Sequence, residues 1–199
     1  LGLPEEELER LGRLVAVLHD LGKLSRGWQD AIWRWQVGVP GFEGQRRGFL
    51  AHSDFDPSLA EERERARDPA YRKPPHGAEG AYAAGALLQE AAGRHLAGEA
   101  AVTLWAAMAS AIARHHGSTA TSLRGFRLCP GAREEVAETL RLAGHPPPRK
   151  LELYDSPENG DITGFGQSLT NPSEGEGWPA YLYLVRRLRL ADQGSFVDA

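Results

Sequence analysis

Apolar residues recur at helical spacing along most of the chain. Leu8, Leu11, Leu14, Val15 and Leu18 lie three or four positions apart, the repeat of one helix face. Pro4 followed by Glu5, Glu6 and Glu7 makes a helix start, because proline suits the first turn and acids suit the positive end of the dipole. Gly22 offers a stop, so the first helix is expected over about 5–21, with His19 and Asp20 on its last turn. Trp28, Ile32, Trp33 and Trp35 predict a second helix from about Ser25 to Val37. An alanine-rich helix is expected over about 77–97, opened by His76. Another runs over Glu99–His116, with Val102, Leu104, Trp105, Met108 and Ile112 as its apolar face and Gly117 after it. Ala132–Leu142 reads as a shorter helix. Tyr181–Asp192 reads as the last, with Leu182, Val185, Leu188 and Leu190 apolar and Arg186, Arg187 and Arg189 polar.

The intervening stretches lack this period. Residues 45–75 read as a loop or insertion with room for one short helix in the mixed-charge run Glu61–Arg67. The segment 146–177 opens on three prolines and continues rich in Gly, Asn, Ser, Asp and Pro. It is expected to be loop, with at most a short hairpin near Leu151–Tyr154. Strand signals are few and there is no internal repeat. The expected fold class is therefore mainly α, a helical bundle with long loops. Its 199 residues fit one domain spanning 1–199.

Composition narrows the class. Apolar residues at 41% suffice for a core, and a net charge of −4 argues against a generally basic nucleic-acid coat protein. A local basic channel would still admit nucleic acid. Arg26, Arg34, Arg46, Arg47, Arg124 and Arg127 could track a phosphate backbone or simply face solvent. Trp28, Trp33 and Trp35 could stack bases or simply be core. The lone Cys129 permits no internal disulfide and no thiolate zinc site, which suits a reducing cytoplasm. No apolar run approaches the roughly 18–20 residues needed to span a bilayer. Glu5–Glu7 are too acidic for a signal peptide, so no membrane role is expected.

The candidate chemistry centres on Leu18-His19-Asp20-Leu21-Gly22-Lys23. Taken singly, its parts are bland. His19-Asp20 could be a satisfied histidine beside a capping carboxylate, His76 could sit in a proline-rich turn, and His115-His116 could be an exposed helix end. Asp192 could pair with Arg189. Together, four imidazoles and two carboxylates fall at expected helix ends and starts. Imidazole and carboxylate are what divalent transition metals take when thiolate is absent. Asp20 has two oxygens and could bridge a pair of ions about 3.5–4 Å apart, the spacing used in hydrolytic phosphodiester cleavage.

The order His-Asp, His, His-His, Asp, with the first pair inside Leu-His-Asp-Leu-Gly-Lys, resembles the HD metal-dependent phosphohydrolase superfamily. His115-His116 followed by Gly117 resembles the HD nuclease domain of the CRISPR type I helicase-nuclease, over most of the chain. The resemblance implies a helical HD-domain bundle holding one or two divalent transition-metal ions (Mn, Ni, Co, Fe or Zn). It implies cleavage of single-stranded DNA, and of RNA in some members. It implies a helicase domain or subunit, in cis or in trans, as partner within a CRISPR effector complex. Carried over residue by residue, His19, Asp20 and Asp192 would hold one ion, with Asp20 bridging to a second held by His76, His115 and His116. Asp20 and Lys23 would be catalytic, the lysine near the scissile phosphate. One feature departs from the family: a further metal-binding histidine usually precedes His-Asp, and none of residues 1–18 is histidine. The chain is then a piece of a longer protein or the site is degenerate. His52 could substitute if its loop folds back. His52, Asp54 and Asp56 otherwise read as an Asx-type turn or a third metal site, and His95 and His145 as surface residues. Two other functions fit the same motifs: an HD nucleotide phosphohydrolase with an enclosed pocket, and a degenerate HD docking module of a CRISPR effector assembly.

Overall fold

The computed structural model describes residues 2–38, 48–53, 55–117, 123, 125–155, 163–171 and 174–194. Asp54, Arg46, Arg47 and Arg124, singled out from the sequence, lie outside them. The fold is helical, as the periodicity implied, and no strand forms among the described residues. Their one β-type pairing is an isolated bridge between Ser25 and Leu128.

The centre is α6 (Gly98–Ala113), in which every residue from Ala106 to Ala113 is buried. A helix apolar all round is one surrounded by others. Against it pack α1 (Glu5–Leu18), α4 (Gly77–Ala83), α5 (Gly85–Gly93) and α9 (Trp178–Gly194). α1 presents Leu11, Val15 and Leu18 to this core and also touches α7 (Ala132–Leu142). Leu88, Leu104, Met108, Ile112, Leu184 and Leu188 fill the centre. The second helix, α2 (Arg26–Val37), starts from Ser25, whose hydroxyl accepts from Trp28 N, and buries Trp28, Ile32 and Trp33 in a separate cluster with Leu50.

Several boundaries differ from expectation for identifiable reasons. α1 ends at Leu18, and a 3-10 turn over Leu21–Leu24 follows, so Gly22 lies inside a turn and does not act as a helix stop. A Cβ at Gly22 would stand 2.0 Å from the His76 carbonyl oxygen and 2.9 Å from Gly80 N. The glycine is there because two backbones touch. The expected 77–97 helix is broken at Ala84. The Ala83 carbonyl accepts from Tyr154 N at 3.1 Å, and the Tyr154 ring lies against Gly85. Residues 151–155, where a hairpin was allowed for, are instead a non-helical segment that makes this contact and forms no strand. Within 45–75, the mixed-charge run forms α3 (Ala60–Arg67), followed by a 3-10 turn at Pro69–Tyr71. A short helix not anticipated in the loop-rich segment, α8 (Thr163–Ser168), carries the buried Phe165, ahead of the buried Leu169.

Gly22→Ala is expected to cost about 3 kcal/mol or more, since a backbone carbonyl cannot swing aside as a side chain can. Gly93→Ala, with nothing within 4 Å of its added methyl, should be neutral or stabilising by up to about 1 kcal/mol. Urea unfolding of both variants checks this, and equal midpoints would refute the packing argument.

Candidate metal centre

Three chain segments deliver the imidazoles. His19 and Asp20 follow the last turn of α1, His76 immediately precedes α4, and His115 and His116 follow α6. Close backbone approach joins them. Gly22 and Gly80 meet face to face, and a Cβ on Gly77 would lie 2.8 Å from the Ala113 carbonyl oxygen. α9 brings Asp192 alongside.

The resulting separations are short. His76 Nε2 lies 3.1 Å from His116 Nε2 and 3.2 Å from Asp20 Oδ1. His19 Nε2 lies 3.4 Å from Asp20 Oδ2 and 3.6 Å from Asp192 Oδ1. Two donor groups result, His76/His115/His116 and His19/Asp20/His115, each with its ligand atoms within 4.8 Å of one another. His115 belongs to both. The two oxygens of Asp20 face different imidazoles, and Asp192 approaches the set at His19.

The helix ends fix the tautomers. His19 Nδ1 lies 2.6 Å from the Ala16 carbonyl oxygen, and His115 Nδ1 lies 2.6 Å from that of Ile112. These are carbonyls of the last helical turn, exposed enough to accept from a side chain as well. A proton on each Nδ1 leaves the Nε2 lone pair facing the cluster, the arrangement metal-binding histidines use. His115 Nε2 is buried without a hydrogen-bond partner. Asp20 Oδ1 is likewise buried, with His76 Nε2 3.2 Å away. Donors about 2.0–2.2 Å from a shared ion stand roughly 3.0–3.5 Å from each other, which the closest separations match. Orphaned acceptors, fixed tautomers and spacing together fit a divalent transition ion.

Charge is arranged to suit. Burial pushes the Asp20 carboxyl up, but His76, the His19 imidazole and Lys23 together outweigh it and hold the group well below the usual carboxylate range. Burial drives His115 down to about 4, against the pull of its bond to Ile112, and the neighbouring imidazoles add to the fall. Burial and then His76 also lower His116. His115 and His116 are thus neutral near pH 7, as ligands must be. Lys23 is buried, and its Nζ donates to Asp20 Oδ2 at 2.7 Å.

Several contributors were not read from the sequence. Arg189 donates to the His115 and Arg114 carbonyls at 3.2 and 3.4 Å, closing the end of α6. Gln29, buried on the apolar stripe of α2, donates to the Lys23 and Leu50 carbonyls at 2.8 and 2.9 Å and accepts from Leu50 N at 3.1 Å. That clamp folds residues 48–53 back, so His52 comes within range of the charges of Lys23, Asp20, Lys73 and Asp192. A polar residue inside an apolar helical stripe was the available signal. Asp56 forms an Asx turn with Ser58 N at 2.8 Å, and neither it nor His52 joins a donor group among the described residues.

Other expectations need correction. Trp28, Trp33 and Trp35 are buried, and Trp35 is flanked by Phe55, Tyr71 and Arg65, so none offers a free face to a base. His145 is buried and His95 half-buried beside Arg10 and Glu7; neither is a surface residue. Arg26, Arg34 and Arg127 are exposed. A cavity of about 850 Å³ is lined by Tyr82, Trp105, Tyr154 and Phe165, among others, and contains none of the clustered imidazoles or carboxylates.

A family described as Cas3, HD domain, matches residues 1–145, a span containing His19, Asp20, Lys23, His76, His115 and His116 but not Asp192. No curated protein and no solved structure matches the chain.

The metal-free protein should lose stability on acidification. His115 has a folded-state pKa below its unfolded value, so the unfolded chain binds the proton first as pH falls from about 6.5 to about 4. At about 1.4 kcal/mol per unit, the loss by pH 4 is on the order of 3 kcal/mol. His115→Gln should flatten that slope in urea titrations across this window. An unchanged slope would show that His115 is not the group responsible.

Proposed function

The chain belongs to the Cas3 HD-domain family, and from that premise we propose that it is a metal-dependent nuclease that hydrolyses phosphodiester bonds of single-stranded DNA in CRISPR type I interference. The observation that carries this reading is the gathering of four imidazoles around Asp20, with His115 Nε2 and Asp20 Oδ1 buried and without a hydrogen-bond partner. A nucleotide phosphohydrolase would need an enclosed pocket. His116 is exposed, which favours a site reached by a strand from outside.

In this reading His76, His115 and His116 hold one ion. His19, Asp20 and Asp192 hold a second, with Asp20 turned toward both. An ion bound there supplies Lewis acidity toward water and toward the phosphate oxygens. The protein's own contribution is orientation. The carbonyls of Ala16 and Ile112 keep the lone pairs of His19 and His115 inward, and Arg189 holds the chain that carries His115. Lys23 grips Oδ2 of Asp20 and leaves Oδ1 for the cluster, while its charge keeps the carboxylate ionised and lies beside the scissile phosphate. The donor set, rich in nitrogen, selects Mn, Co, Ni, Fe or Zn over magnesium.

The partners we assign are a helicase domain or subunit and the CRISPR effector complex, with RNA as a second substrate to compare. No described helix is long and apolar enough to cross a membrane. We assign the site of action to the cytoplasm, and residues 1–199 to one HD nuclease domain.

Hydrolysis of single-stranded DNA with added Mn²⁺, Co²⁺ or Ni²⁺ tests the reading. Asp20→Ala should lower activity at least about a hundredfold. Lys23→Ala, which removes the partner of a ligand, should cost about 10–100-fold in metal affinity or rate. Equal trace activity in wild type and Asp20→Ala would sink the proposal, and failure to bind any transition metal would favour a docking role.

A further inference from the structure

Two of the chain's three lysines converge on one indole. Lys23 Nζ lies 5.6 Å and Lys73 Nζ 5.8 Å from the Trp28 ring centroid, and the same ring packs against His76 at 4.6 Å. Lys23 is neutralised by Asp20. Lys73 has no such partner: its Nζ donates to Ser53 Oγ at 2.9 Å, and no carboxylate pairs with it among the described residues. Burial and the charge of Lys23 both push its pKa down. A half-buried ammonium repelled by a second one is suited to receive an anion.

The surroundings of Lys73 are built. Gln29 holds Leu50 through both its backbone groups, which fixes the path of the chain to Ser53 and thereby the hydroxyl that Lys73 meets. His52 stands exposed on the same rim. Only one of the three N–H donors of Lys73 is spent on Ser53. Lys73 makes no hydrogen bond or ion pair with Asp20 or with His19, His76, His115 or His116 among the described residues. It borders the metal cluster without belonging to it.

We infer that Lys73 is a positioning residue that grips a backbone phosphate flanking the scissile one, so that the substrate is a nucleic-acid strand and not a single phosphate. This rests on the nuclease reading for the word scissile, but the grip itself can be measured without cleavage. Binding of a fluorescent single-stranded oligothymidylate, followed by anisotropy in chelator, should weaken about tenfold in Lys73→Ala, with the salt slope reduced by about one. Lys73→Arg should stay close to wild type, which separates lost charge from lost fold. Thymidine monophosphate, too short to reach from the centre to Lys73, should bind wild type and Lys73→Ala equally when metal is supplied. In turnover with metal the variant should raise KM more than it lowers kcat, and its metal content should match wild type. Unchanged oligonucleotide affinity and salt slope would overturn the inference, as would an equal loss for the mononucleotide. If wild type cleaves nothing yet the binding difference persists, the nuclease reading falls and the phosphate grip stands.

Discussion

The centre depends on a contact between backbones. The turn after α1, the start of α4 and the end of α6 meet where any Cβ would intrude: Gly22 against the His76 carbonyl, Gly80 against Gly22 N, Gly77 against the Ala113 carbonyl. These approaches bring imidazoles from residues 19, 76, 115 and 116 within ligand range of one another. The imidazoles are short side chains with little reach. A displacement of the backbone by one methyl group would pull the donor atoms apart, and no rotamer change could restore them. The alanine-rich helices around α6 follow the same logic, since small residues let helix axes draw close and leave room at the rim for the larger polar groups.

Burial and hydrogen bonding then divide the labour. Burial alone would raise the pKa of Asp20, yet His76, His19 and Lys23 together hold it below the usual carboxylate range. The same burial keeps His115 uncharged, which its function as a donor requires. Opposite outcomes arise in one low-dielectric space because each group has different neighbours. Helix ends contribute twice. The carbonyls of Ala16 and Ile112 set the tautomers, and Arg189 donates to those of Arg114 and His115.

Much of this was legible in the sequence. α2 and α7 were placed within a residue of their ends, because Ser25 and the apolar period mark them, and the HD-type order of histidines picked out the side chains the fold gathers. What failed did so where long-range contact overrides local signal. Gly22 looked like a helix stop, but the reason for the glycine is 54 residues away at His76. The break at Ala84 has no local marker, since it comes from Tyr154 taking a carbonyl. The tryptophans could be read as stacking platforms or as core, and only their neighbours decide. Gln29 and Lys73 are ordinary letters in a row until the chain from Gly48 to Ser53 is laid across them.

The Gln29 clamp has a further consequence. It grips Leu50 through the main chain and asks nothing of the side chains at 51 and 52. The path of the rim is therefore uncoupled from its chemistry. Residues along that rim can be exchanged while the loop keeps its course, and the metal donors, carried by other segments, remain undisturbed. The fold thus separates a part that must stay fixed from a part that is free to diversify, and the boundary between them is one buried amide.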